Sequence, residues 1–118
     1  MNAKKLLNEM SKEELVNILD DMITDRDIKI LMVRRKYCLN IFINDEDYVV
    51  RAKVAQQGYG LDILINDKDW TVRVEVAKQG YGLDKLIKDK DWMVRLEVAK
   101  QGYGLNKLIK DKDYRVRN

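Results

Sequence analysis

The side chains able to do chemistry are unevenly supplied in this chain. There is no histidine and one cysteine, Cys38, so the common zinc ligand sets, a histidine general base and an internal disulfide are all out of reach. What remains are aspartates in pairs, such as Asp67 with Asp69 and Asp89 with Asp91, glycines in Gly-Tyr-Gly, and recurring lysines. The aspartate pairs would suit calcium or general-acid work. A calcium loop also needs further oxygen ligands and a distal glutamate over 12 residues, and "DKDWTVRVEVAK" puts an apolar helical stripe there instead. Capping and ion pairing is the better reading. The glycines at Gly58, Gly80 and Gly102 could cradle phosphate at a helix start. A phosphate loop is a single site with a lysine and a hydroxyl at fixed places, whereas "GYGLDKL" sets an aspartate where the anion would lie, and the motif recurs unchanged. These glycines read as helix terminators. No catalytic residue, metal or cofactor is expected, and the chain does not read as an enzyme.

Spacing explains why the same letters return. "DKDWTVRVEVAKQGYGLDKLIK" (67–88) is followed directly by "DKDWMVRLEVAKQGYGLNKLIK" (89–110), matching at 19 of 22 positions. A search for self-similarity therefore comes before any assignment of elements. Residues 45–66 are the copy before these, and 111–118 begin another. Stepping back one period from Tyr59, Leu61 and Ile65 reaches Tyr37, Leu39 and Ile43, so 25–44 is a degenerate copy. In it Cys38 replaces the first Gly-Tyr-Gly glycine and reads as a small packed residue. Residues 1–24 form a separate N-terminal segment.

Each unit carries helix punctuation. Asp69 or its neighbour Asp67 supplies an N-cap, because a carboxylate accepts the free N–H groups of the first turn. Val72, Val76 and Ala77 form one apolar stripe, while Arg73, Glu75 and Lys78 point elsewhere. Gly80 ends the helix in a left-handed C′ conformation, and Tyr81 falls where a Schellman turn folds back onto Val76. Gly82 opens a shorter element, with Leu83, Leu86 and Ile87 spaced for one or two helical turns. Two helices this short are marginal in water and must cover each other's stripes by stacking. The expected fold is all-α, a right-handed α-solenoid of two-helix units forming a curved rod roughly 40–50 Å long at 8–10 Å per layer. The N-terminal segment reads as its cap: Ser11 and Glu14 in "SKEEL" form a capping box, Leu15, Ile18 and Leu19 the inner face, and Leu6 and Leu7 a further short helix. No matching cap follows Leu105, Leu108 and Val116, so self-association or a partner over the last repeat is expected.

Over about four fifths of the chain, the unit "LIxDxDWxVRxxVA" resembles HEAT-like repeats, and its short period resembles the leucine-rich repeat variant, where an α-helix alternates with a 3₁₀ helix. The residues carrying this are Asp45, Asp47, Val50, Arg51, Val54 and Ala55, then Asp67, Asp69, Val72, Arg73, Val76 and Ala77, then Asp89, Asp91, Val94, Arg95, Val98 and Ala99. The resemblance implies Asp and Arg ladders joining one repeat to the next, drawn from Asp47, Asp69 and Asp91 and Arg51, Arg73 and Arg95. It does not extend to the iron–sulfur cluster known in that variant, since Cys38 alone cannot supply four thiolates. The regular proline of those families is also absent, with Gly-Tyr-Gly in its place.

Size and composition bound the rest. At 118 residues there is room for one compact unit, no apolar run approaches a membrane span, and the start does not read as a secretory signal, so a cytoplasmic location is expected. A net charge of +3 from 23 basic and 20 acidic residues is a mixed surface. The leading expectation is a non-catalytic scaffold that binds a protein partner through one face. Two aromatic rows, Tyr37, Tyr59, Tyr81 and Tyr103, and Tyr48, Trp70, Trp92 and Tyr114, serve either inter-repeat packing or partner contact. Positions that differ between near-identical copies point to the working face: Val49, Thr71, Met93 and Arg115; Ala52, Val74 and Leu96; Lys53, Glu75 and Glu97. The alternative is a nucleic-acid-binding module using a stripe of Lys68, Lys85, Lys88, Lys90, Lys107, Lys110 and Lys112, although interleaved aspartates would weaken it. A third reading is a small bacterial or phage-like inhibitor, encoded on a mobile element, of a host nucleic-acid enzyme.

Overall fold

The computed structural model describes residues 11–14 and 26–117. Leu6, Leu7, Leu15, Ile18 and Leu19, and with them most of the expected cap, lie outside those residues. Ser11 does behave as a cap, its Oγ accepting from the Glu14 N–H at 3.2 Å while its hydroxyl donates to Glu14 Oε1 at 3.1 Å.

From Arg26 to Leu108, helices of nine and four residues alternate, and a further four-residue helix follows: α1 Arg26–Arg34, α2 Leu39–Phe42, α3 Tyr48–Gln56, α4 Leu61–Leu64, α5 Trp70–Lys78, α6 Leu83–Leu86, α7 Trp92–Lys100, α8 Leu105–Leu108 and α9 Tyr114–Arg117. The described residues contain no strand. The fold is all-helical among the described residues, and the long helices pack in succession, α1 on α3, α3 on α5 and α5 on α7, with α9 against α7. The principal extents are 52 × 26 × 19 Å.

The local chemistry explains why helices start and stop where they do. Asp47, Asp69 and Asp91 are the N-caps, with side chains accepting from the N–H of Val49 at 2.9 Å, Thr71 at 2.9 Å and Met93 at 2.8 Å. The other aspartate of each pair sits two residues earlier and accepts from the cap's own N–H, as Asp67 does from Asp69 at 2.9 Å. At the far end of α5, Gly80 takes φ +74° and donates to the Ala77 carbonyl at 2.9 Å, and the Tyr81 N–H reaches the Val76 carbonyl at 3.4 Å. Those two bonds are a Schellman motif, which satisfies carbonyls that the helix end leaves without partners.

The second glycine has a role that the sequence reading did not supply. Gly82 is also left-handed, at φ +65°, and a Cβ on it would lie 2.1 Å from Ile65 Cδ1. The glycine lets the isoleucine of the preceding unit lie against bare backbone. The register of the degenerate copy is corrected as well. Cys38, directly after Tyr37, occupies this second glycine position, and Lys36 occupies the first; both are held at positive φ, 59° and 61°. Non-glycine residues there carry a steric cost, which makes this turn the strained version of the others. Cys38 is half-buried and packs against the core.

The core is one continuous cluster of apolar side chains running from Ile28 to Val116. Val72, Val76 and Ala77 of α5 and Val94 and Val98 of α7 are fully buried, and Leu86 and Ile87 close the cluster from the short-helix side. Each such side chain contributes roughly 1.5–3 kcal/mol by leaving water, so this cluster carries much of the stability. Ala52, Val74 and Leu96 pack against this core. Each is half-buried, so their variation changes packing along the chain.

Candidate functional site

The interior is tied together by ion pairs that run from each unit to the next. Arg51 Nε donates to Asp67 Oδ2 at 2.8 Å, Arg73 Nε to Asp89 Oδ2 at 2.8 Å, and Arg95 Nε to Asp111 Oδ2 at 2.7 Å. In each pair Nη2 takes the second carboxylate oxygen at 3.1 to 3.2 Å, and Nη1 donates to a backbone carbonyl, that of Asp45, Asp67 and Asp89 in turn, at 2.6 to 2.7 Å. This bidentate fork plus carbonyl contact suits guanidinium geometry. Both partners of every pair are buried, and Lys29 with Asp45, at 2.9 Å, makes the first rung with an ammonium instead. Among the described residues no buried side-chain polar atom lacks a partner.

These rungs amend two expectations. The carboxylates facing the arginines are Asp67, Asp89 and Asp111, while Asp47, Asp69 and Asp91 serve as caps. Asp47 in addition pairs with Arg26 at 2.6 Å. Arg73 does point away from the valine stripe, yet it is buried, because the next unit brings it a carboxylate. Periodicity within one helix shows only the direction of a side chain, and the partner lies 16 residues further on.

Over the rungs lie two equivalent grooves, one unit apart. The first, about 650 Å³, is lined by Asp45, Glu46, Arg51, Asp62, Ile63 and Lys68 among others. The second, about 310 Å³, is lined by Asp67, Lys68, Arg73, Lys85, Asp89 and Lys90 together with Ile65 and Asn66. Their floors are the same pattern, a buried Arg–Asp rung. Their rims differ: Glu46 and Ile63 in the first stand where Lys68 and Lys85 stand in the second. Ile63 is 57 % exposed, and Ile41, at the matching place one unit earlier, is 53 % exposed. The Lys85 ammonium donates to Asn66 Oδ1 across the second groove.

All seven lysines of the expected stripe are exposed. The structure brings Lys68, Lys85 and Lys90 into one groove, and Lys88 and Lys107 into another with Asp84, Tyr103 and Asn106. Lys110 and Lys112 line neither. The aspartates expected to dilute the stripe are mostly engaged elsewhere, with Asp67, Asp89 and Asp111 in rungs and Asp69, Asp91 and Asp113 on helix N–H groups. The rim residues Glu46 and Ile63, and Ile41 at the matching place one unit earlier, were missed as candidates. Their signal is the change from Ile41 and Ile63 to Lys85 and Lys107, and from Glu46 to Lys68, at matching positions of the repeat.

The aromatic rows are half in solvent. Tyr48 and Trp70 are 44 % and 37 % exposed, and Trp92 is half-buried beneath the Arg115 guanidinium, 3.7 Å from its ring centroid. This stacking, a cation–π contact, is reinforced by the Arg115–Asp113 ion pair at 2.7 Å. Val49, Thr71 and Met93 are half-buried beside the ring row, and their N–H groups are the ones the caps hold. Tyr59, Tyr81 and Tyr103 form the second row, also exposed. Beyond α8, Leu105, Leu108, Ile109 and Val116 line an apolar hollow of about 360 Å³.

The caps are electrostatically tuned. Burial pushes the Asp69 carboxyl up, but hydrogen bonds from the Thr71 hydroxyl and N–H outweigh it, and the group titrates below the usual aspartate value. The Arg26 guanidinium does the same against burial at Asp47, and Arg95 at Asp111. Asp113 is held at about 2 by its hydrogen bond from Arg115.

Among the described residues, no group of three or more Cys, Asp or Glu side chains is arranged to hold a metal ion, and no helix is long and apolar enough to cross a membrane. No family model, curated protein or solved structure matches the chain.

Proposed function

We propose that this chain is a non-catalytic binding module, a right-handed α-solenoid of HEAT-like or leucine-rich-variant units that presents one face of the stack to a protein partner. The observation that carries this reading is the row of rings at the starts of the long helices. Tyr48 and Trp70 stay about two-fifths exposed in a frame whose buried polar side chains are otherwise paired. Tryptophan and tyrosine dominate interface hot spots because a rigid ring buries much area at small entropy cost. Val49, Thr71, Met93 and Arg115 flank the row and differ from unit to unit, which would give each layer its own contact.

The test is a cross-linking capture from source cells, read by mass spectrometry, comparing wild type with Trp70→Ala and Met93→Ala. Proteins captured by wild type should be lost with the variants while the far-UV circular dichroism spectrum is retained. The same proteins captured by all three would overturn this placement of the face.

A further inference from the structure

The two grooves share Asn66, Asp67 and Lys68 in their linings, so they meet and run along the same edge of the repeats. Along that edge the rim changes character. At one end stands the exposed Ile63 with Glu46 and Asp62, and one unit before it the exposed Ile41 holds the matching place of the repeat; at the other end stand Lys85 and Lys90, with Lys68 between, lining both grooves. The floor contributes little net charge throughout, because each Arg is matched by a buried Asp. From this we infer that the edge is a docking channel for a protein segment of two-part chemistry, acidic where it lies over Lys68, Lys85 and Lys90, and apolar where it lies over Ile41 and Ile63.

Charge complementarity favours such a segment over a nucleic acid. A phosphate backbone is uniformly negative along its length, and here it would have to pass over Glu46, Asp62 and two exposed isoleucines. Carboxylates on a peptide can be confined to the lysine end, and the isoleucines then bury against apolar side chains of the same segment. The lysines are exposed point charges, suited to carboxylates in varied geometry, and Lys85 would exchange its bond to Asn66 for one to the segment. Exposed pairs of this kind contribute modestly one at a time, so affinity should come from both ends acting together. No ring of the aromatic row lines the channel, and the inference does not depend on that row.

The probes are fluorescein-labelled 14-residue peptides: a glutamate-rich half joined to a leucine-containing half in both orders, an all-glutamate control, and a duplex DNA of similar length. Binding is followed by fluorescence anisotropy at low and physiological salt. One order of the two-part peptide should bind about tenfold more tightly than the all-glutamate peptide, a difference that reports the apolar half. Lys85→Glu with Lys90→Glu, and separately Ile63→Glu, should each weaken it about tenfold, at side chains exposed enough to leave the helical spectrum unchanged. Trp70→Ala should leave this affinity unaltered; its loss would place the segment on the aromatic row and overturn the channel. Equal binding of the all-glutamate peptide or of duplex DNA, or no binding by either order at about 1 mM, would also overturn it.

Discussion

The two grooves are built on the same floor and finished with different rims. In both, a buried arginine forks onto the aspartate of the following unit, at the same 2.8 Å, and donates to a carbonyl of its own. Yet one rim offers Glu46 and Ile63 and the other Lys68 and Lys85. The difference teaches a division of labour. A bidentate buried rung tolerates few substitutes, because removing either partner leaves an uncompensated charge. The rim side chains are solvated, so changing them costs the fold little and changes what the edge can hold.

The comparison can be broken most severely at the floor. Arg51→Ala and Arg73→Ala should each cost about 3–5 kcal/mol, by stranding Asp67 or Asp89, and the two costs should agree within about 1 kcal/mol if the floors are equivalent. Urea unfolding of both variants measures this. A small cost in one and not the other would show that the shared pattern hides different packing.

Acid should weaken the helical frame on which both grooves are built. Asp47, Asp69, Asp111 and Asp113 titrate lower in the folded chain than their ordinary value of 3.8. The unfolded chain therefore takes up protons first. Stability from these carboxylates is complete above that ordinary value and drains away as pH falls through the folded values, about 2 for Asp113. Thermal midpoints should thus hold steady from neutral pH down to about 5 and drop between about 4 and 2. A midpoint that rises on acidification contradicts the capping account.

Glycine substitutions sharpen the contrast between turn and contact. Gly80→Ala meets no neighbour and should cost only the left-handed strain, about 1 kcal/mol, whereas Gly82→Ala adds a collision with Ile65 Cδ1 and should cost more. In the other direction, Lys36→Gly relieves that strain and should raise stability by about 1 kcal/mol. Thermal denaturation ranks all three.

How much of this was legible in the sequence depends on whether one unit contains the answer. The stripe of Val72, Val76 and Ala77, the cap at Asp69 and the stop at Gly80 are local events, and local spacing shows them. The partner of Arg73 lies in the following unit, and only the stacking of α5 against α7 brings Asp89 to it. Asp67 and Asp69 are two residues apart and chemically alike, so which one caps and which one pairs is decided by geometry. Gly82 reads as turn chemistry alone within its unit, because Ile65, which lies against it, belongs to the preceding one. The grooves were the least legible. Ile63 and Lys85 occupy the same position of the repeat, but only the fold sets them beside Glu46 and Lys68. The aromatic rows were visible as rows, and their partial exposure was not.

The smallest expected effect carries the most direct test. Glu46→Lys with Ile63→Lys rebuilds the first rim as a copy of the second without touching either rung. The account predicts a thermal midpoint within about 2 °C of wild type, together with loss of the two-part peptide's advantage over the all-glutamate peptide. A midpoint lowered by about 10 °C or more, or peptide binding that keeps its preference, would show that rim and floor are not separable and would contradict it.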